Sequence, residues 1–233
     1  MERISGIGFD LDHTLAIDNT LERVAFLRLL EALLAGGGAT YRSMAEELDA
    51  IDDLLSHQRH GAFSIDEAVR RFVAAHGVAA RDGHVETFRH TALSLVDDLV
   101  VPLPGVPQAL QALSDLGIPT AVLTNGWSPM QARKARRAGF NGPVLVSSEM
   151  GVQKPAPAAF EMLLHALGTP RESSWYVGDD PQSDVGGAHA VGMRAVWMDW
   201  EGRTFPSEIA PAEFTIHRFS DVLTIVSAPV SPA

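Results

Sequence analysis

The stretch Ile4-Ser5-Gly6-Ile7-Gly8-Phe9-Asp10-Leu11-Asp12-His13-Thr14 is a short apolar run, punctuated by glycine, that leads into two acids two positions apart. Continuous apolar runs of this length read as buried strands of a parallel sheet. Here the acids stand at the carboxyl end, where open parallel sheets gather their ligands.

Past that strand the pattern changes. No proline occurs between about Asp18 and Asp98, and apolar residues recur at helical spacing in Leu21, Val24, Leu27, Leu30, Leu33 and Leu34, and again in Ala68, Phe72 and Ala75. Gly36-Gly37-Gly38 separates the first two helices, and Ser64 with Glu67 three positions later reads as a capping-box start. After Val101-Pro102-Leu103-Pro104-Gly105 the pattern alternates. Helices are expected over 106–116, 129–138, 157–167 and 184–190, with strands at Pro119–Leu123, Val144–Val146, Trp175–Val177 and Ala195–Trp197, and a last strand–helix pair over 214–226. The fold class is therefore α/β: a Rossmann-like open parallel sheet core, residues 1–15 and 100–233, with an inserted α-helical cap domain over 16–99. The tail from Ser227 to Ala233, rich in Pro and Ser, is expected to fray.

Composition limits what the chain can do. Across 233 residues hydrophobic side chains make up 46%, enough for a large core, and the absence of cysteine excludes disulfides, thiolate metal sites and a cysteine nucleophile. No apolar stretch approaches the ~20 residues of a membrane span, and Met1-Glu2-Arg3 leads into the strand without a signal-peptide core. The reading is a cytoplasmic protein without membrane partners. A net charge of −11 argues against nucleic acid. Sixteen of the 18 basic residues are arginine, so Lys134 and Lys154 are the only lysines and a lysine where chemistry wants one carries weight.

Four strand ends bear polar groups suited to phosphoryl transfer: Asp10-Leu-Asp12-His-Thr14, Thr124-Asn125-Gly126, Lys154-Pro155, and Gly178-Asp179-Asp180-Pro-Gln-Ser-Asp184. Two carboxylates at a strand end can divide the labour of a nucleophile and a general acid/base. Thr124 offers a hydroxyl donor, and Asn125-Gly126 before a helix lets backbone N–H groups approach an anion. Lys154, followed by proline and so not in mid-helix, can neutralise a nucleophile and the negative charge of a transition state. Several acids in one pocket call for a hard dication with oxygen ligands, such as Mg2+.

This set, in this order, resembles the haloacid dehalogenase superfamily of phosphohydrolases, and the insertion resembles that family's helical cap of the first type. The resemblance implies a Mg2+-dependent phosphatase acting on a small phosphorylated metabolite. It implies Asp10 as nucleophile forming an aspartyl-phosphate, Asp12 as acid/base, and Thr124, Asn125 and Lys154 as substrate-binding residues. Its metal ligands are the Asp10 carboxylate, the Asp12 backbone carbonyl and Asp179, with Asp184 mainly one layer out. Asp184 could also cap the following helix, and Asp180 is either an outer acid or a turn residue. Dehalogenases of the superfamily typically lack an acid at the position of Asp12, whose presence favours phosphoryl chemistry. A phosphosugar mutase uses the same core, and a non-catalytic receiver-like module uses a similar set without the cap.

The remaining candidates read as structure. Lys134, within Arg133-Lys134-Ala-Arg136-Arg137, is expected on a solvated face. His57 and His60 lack a third ligand nearby. His13 departs from the family's usual glycine. Trp127, Trp197 and Trp200 are core or rim, with Trp127 placed to touch a substrate. Arg23, Arg59, Arg70 and Arg89 could clamp a second anionic group, although eight arginines against 14 acids between 16 and 98 single none of them out. A monomer or a homodimer is compatible with the chain.

Overall fold

The computed structural model describes residues 4–18, 20–59 and 61–227. The expectations for Met1–Arg3, for His60 and for the tail beyond Ser227 lie outside the described residues. In chain order the elements are β1 (Gly6–Phe9), β2 (Ala16–Ile17), helices α1 (Leu21–Ala35), α2 (Met44–Arg59), α3 (Ile65–Ala75), α4 (Asp82–Ser94) and α5 (Val96–Leu99), then β3 (Val101–Pro102), α6 (Val106–Asp115), β4 (Thr120–Thr124), α7 (Met130–Arg137), β5 (Val144–Val146), α8 (Ser147–Met150), α9 (Pro157–Leu167), β6 (Ser174–Gly178), α10 (Gly187–Ala190), β7 (Arg194–Met198), β8 (Phe214–Ile216) and α11 (Val222–Ser227).

Two compact units result, one of Met1–Asp18 with Val101–Ala233 and the other of Asn19–Val100. The first limit falls three residues past the sequence expectation, because Ala16–Ile17 pairs antiparallel with Val101–Pro102 and this small ribbon belongs to the sheet unit. Two-residue strands carry no periodic signal, which is why the sequence does not announce them.

The sheet unit holds six parallel strands in the order β5-β4-β1-β6-β7-β8. β1 lies in the middle, and its register sets Phe9 against Val122 of β4 and Val177 of β6. The chain thus leaves β1 for strands on both sides, and the carboxyl ends of β1, β4 and β6 converge at such a switch point. On one face Leu123, Phe160, Leu163, Tyr176, Val185 and Trp197 pack into a buried hydrophobic cluster; on the other Phe9 meets Phe219 at 5.4 Å between ring centroids. Burying each large apolar side chain contributes about 1.5–3 kcal/mol, and this core fixes the strand ends against one another.

The helical unit is built around Phe26 of α1, which packs on Phe72 of α3 at 5.0 Å and Phe88 of α4 at 4.5 Å. Ser64 caps α3, its hydroxyl accepting from the Glu67 N–H at 3.3 Å. The four arginines considered as anion clamps all face acids of the same unit: Arg23 pairs with Asp52, Arg59 with Glu22, Arg70 with Asp82 and Arg89 with Asp66. Their charges are partnered locally.

Candidate active site

After Phe9 the chain turns tightly. Leu15 and Ala16 N–H groups both donate to the Leu11 carbonyl, His13 N–H donates to the Ala16 carbonyl, and His13 adopts φ 63°. Glycine adopts that left-handed conformation without a Cβ penalty, and here a histidine holds it. His13 stacks on Trp200, 6.2 Å between centroids.

The turn leaves Asp10 buried at the strand end, 6% exposed. Lys154, 4% exposed, reaches it from the loop after α8: its Nζ donates to Asp10 Oδ1 at 2.5 Å, to Asp184 Oδ1 at 2.7 Å and to the Tyr176 hydroxyl at 3.1 Å. Tyr176 in turn donates to the Leu123 carbonyl at 2.8 Å, which ties the lysine to β4 and β6 together. Burial alone would lower the Lys154 pKa, but the facing Asp10 and Asp184 hold it well above the ordinary lysine value. The Asn125 side chain holds the backbone of Lys154 through both its N–H and its carbonyl. Asn125, expected at the substrate, thus has its amide group committed to Lys154, and the Gly126 N–H that follows donates to Ser147 Oγ at 3.0 Å.

Asp10, Asp179 and Asp184 each offer an oxygen, the three lying within 4.8 Å of one another. Burial, followed by repulsion from Asp10 and Asp184, pushes Asp179 up to about 8. Burial likewise raises Asp10 to about 7, with Lys154 opposing and Asp184 and Asp12 adding to the rise. Asp184 is also raised by burial. Two buried acids and the partly buried Asp179, set against Lys154 and a partly exposed Arg203, are short of positive charge, so the donor set fits a hard dication, which accepts carboxylate oxygens. Asp184 has both oxygens engaged, Oδ1 by Lys154 and Oδ2 by the Asp180 N–H at 2.9 Å. That arrangement suits a supporting position behind Asp10 and Asp179.

Asp180, not Asp184, caps the next helical turn, its side chain accepting from the Ser183 N–H at 2.6 Å. The turn residue reading of Asp180 holds, and the N-cap reading of Asp184 does not. Gly178 is required at its position, because a Cβ there would overlap the Asp184 carboxylate. Two residues that sequence reasoning missed fix Asp179: Trp197 Nε1 donates to its carbonyl at 2.9 Å and an Arg203 guanidinium nitrogen donates to the same carbonyl at 2.8 Å.

The carboxylate of Asp12 lies outside the acidic trio and faces α7. Gln131 Nε2 donates to its Oδ2 at 2.8 Å and Lys134 Nζ donates to its Oδ1 at 3.0 Å. Lys134 also donates to Asp18 Oδ2 at 2.8 Å. The solvated-face reading of Lys134 is therefore wrong: Arg136 and Arg137 are exposed, whereas Lys134 is 2% exposed. The buried stripe of α7 passes through Met130, Gln131, Lys134 and Ala135, and two acids compensate the ammonium that lies on it. Gln131 also donates to Thr124 Oγ1 at 2.8 Å, so this hydroxyl accepts from Gln131 and keeps its own hydrogen to donate. That hydrogen meets the Asn125 carbonyl across 3.3 Å, a long contact that a phosphate oxygen could replace. Trp127 is buried at 3% exposure.

Among the described residues no helix is long and apolar enough to cross a membrane. A family model described as haloacid dehalogenase-like hydrolase matches residues 4–192. The chain is similar to a phosphoserine phosphatase of Thermus thermophilus, 40% identical over 114 residues that make up 46% of each chain. It is 28% identical over 237 residues to a glyceraldehyde 3-phosphate phosphatase of Methanopyrus kandleri, covering 96% of this chain and 97% of that one. Among solved structures it is similar to the HAD-hydrolase YfnB of Bacillus subtilis bound to magnesium, with a TM-score of 0.72 and 22% identity, covering 97% of this chain and 100% of that one.

Proposed function

The chain belongs to the haloacid dehalogenase-like hydrolases, and from that premise we propose that it is a Mg2+-dependent phosphatase releasing inorganic phosphate from a small phosphomonoester. The observation that carries this reading is the division between the two acids of the β1 end. Asp10 faces Lys154 and the acidic trio, whereas Asp12 is drawn aside to Gln131 and Lys134. One strand end thereby presents two carboxylates in different environments, as a nucleophile and an acid/base require.

In the first half-reaction an Asp10 oxygen bonds to phosphorus while the bond from phosphorus to the leaving oxygen breaks, and Asp12 gives that oxygen its proton. In the second, water attacks the aspartyl-phosphate, Asp12 takes the water's proton, and Asp10 is released with phosphate. Lys154 sits against Asp10 throughout and offsets the negative charge that collects around phosphorus. Thr124 ends β4, and its hydroxyl, with the backbone N–H of Asn125 after it, would supply donors for phosphate oxygens. Asp10 and Asp179, with the Asp12 carbonyl and with Asp184 behind them, are the residues that would hold Mg2+, which would offset the charge of the acids and supply Lewis-acid stabilisation to the phosphoryl group. The relatives named above act on phosphoserine and glyceraldehyde 3-phosphate, so small polar monoesters of that size are the substrates to try first.

The test is release of inorganic phosphate from phosphoserine, glyceraldehyde 3-phosphate, other sugar phosphates, nucleotides and an aryl phosphate, with Mg2+ and with chelator. Release that depends on Mg2+ is expected. Folded protein that releases no phosphate from any of them, or that only isomerises a phosphosugar, contradicts the reading.

A further inference from the structure

Lys134 is a buried ammonium, and burying one is unfavourable unless its partners are well placed. Its partners are Asp18, at the end of the ribbon strand, and Asp12. Gln131, one turn earlier on the same face of α7, takes the other oxygen of Asp12. Both oxygens of this carboxylate are thus gripped from one helix, which fixes its plane and side-chain rotamer while leaving each oxygen lone pairs for a proton. The Asp12 side chain remains 32% exposed, open on the side that α7 does not cover.

We propose that Lys134 and Gln131 are positioning residues that hold Asp12 in the geometry from which it protonates the leaving oxygen. The proposal rests on Asp12 being the acid/base of the phosphatase reaction. Both act through Asp12; Gln131 also holds Thr124 Oγ1, and Lys134 is anchored to Asp18. Proton transfer from a positioned group depends on placement within hydrogen-bond reach, so a carboxylate free to rotate is a poorer acid even though it is still present.

The measurement is the leaving-group dependence of kcat/KM, which reports the first half-reaction. An aryl phosphate whose phenolate leaves readily needs little protonation, and an alkyl phosphate needs it fully. For Lys134→Met we expect kcat/KM on the alkyl ester to fall by about 10- to 100-fold while the aryl ester stays within about threefold, because only acid catalysis is lost. Asp12→Asn provides the benchmark, with the same split at about 100-fold or more. Gln131→Leu, which keeps the buried ion pairs, is read by the same ratio and is expected to show a smaller split; it decides the matter if Lys134→Met does not fold. Equal losses on both esters in the Lys134 and Gln131 variants, against a clear split in Asp12→Asn, overturn this proposal alone. No split in Asp12→Asn overturns the acid/base assignment of Asp12 and this proposal with it.

Discussion

Asn125 and Lys154, 29 residues apart, hold each other by two reciprocal hydrogen bonds: the Lys154 N–H donates to Asn125 Oδ1 at 2.9 Å and Asn125 Nδ2 donates to the Lys154 carbonyl at 3.0 Å. The loop after β4 thereby sets where the lysine's side chain begins, and that side chain ends on Asp10. Asn125→Ala should loosen the placement of the ammonium without removing it. We expect kcat to fall by about tenfold with a smaller change in KM, since a misplaced charge acts mainly on the transition state. Steady-state kinetics on the best substrate check this, and an unchanged kcat would show that the clamp is dispensable.

Lys154→Met removes the cation itself. Asp10 and Asp184 then face each other without their shared partner, and breaking a buried pair by removing one side costs about 3–5 kcal/mol, with protonation of the acids relieving part of it. A fall in kcat of about 10²- to 10³-fold is expected, as for loss of one preorganised charge at a developing anion. Thermal unfolding alongside turnover measures both effects, and activity within a few-fold of wild type would contradict the role given to Lys154.

Asp10 and Asp179 have raised pKa values of about 7 and about 8 against a usual 3.8. Between about pH 4 and these values the folded, metal-free protein keeps protons on these two groups that the unfolded chain has released, so their contribution to stability falls as pH rises through this window. For each of the two groups the loss is at most about 1.4 kcal/mol for every pH unit crossed. Mg2+ held by these acids would compete with those protons, so its stabilisation should grow with pH. Thermal unfolding with chelator is expected to show Tm decreasing from about pH 5.5 to about pH 8.5, and added Mg2+ to raise Tm more at the upper end. A chelated protein whose Tm rises over that range, with a Mg2+ effect independent of pH, would contradict the acidic trio as the metal site.

Gly178→Ala tests the close approach of backbone and acid. The added methyl would overlap the Asp184 carboxylate, which must move, and with it the contact to Lys154 and the Asp180 N–H. Weaker Mg2+ dependence, read as a higher Mg2+ concentration for half-maximal activity, is expected together with a lower Tm. Wild-type values for both would show that the site accommodates the change.

Much of this site is legible along the chain because it hangs on strands. Asp10, Thr124 and Asp179 each end or follow an apolar run, and a parallel sheet brings such ends together whatever the loops do. Lys154 announces itself by rarity and by the proline behind it. What stays hidden depends on contacts across long sequence separations: Tyr176 beneath Lys154, and Trp197 and Arg203 on the Asp179 carbonyl. Lys134 is hidden differently. Three arginines around it make the segment look uniformly solvated, yet Gln131 and Lys134 are three apart and share the face of Met130 and Ala135. A helical stripe that is apolar except for one glutamine and one lysine is a signal for a buried polar contact, and the scarcity of lysine applies to Lys134 as much as to Lys154.

The most direct test of the central assignment is to quench turnover with acid in the presence of Mg2+ and a good substrate, digest the protein and locate the phosphoryl group by mass spectrometry. A phosphorylated peptide carrying the group on Asp10, absent from Asp10→Asn, is the expected result. A phosphoryl group found on another residue, or full turnover by Asp10→Asn with slow deamidation excluded, would contradict it.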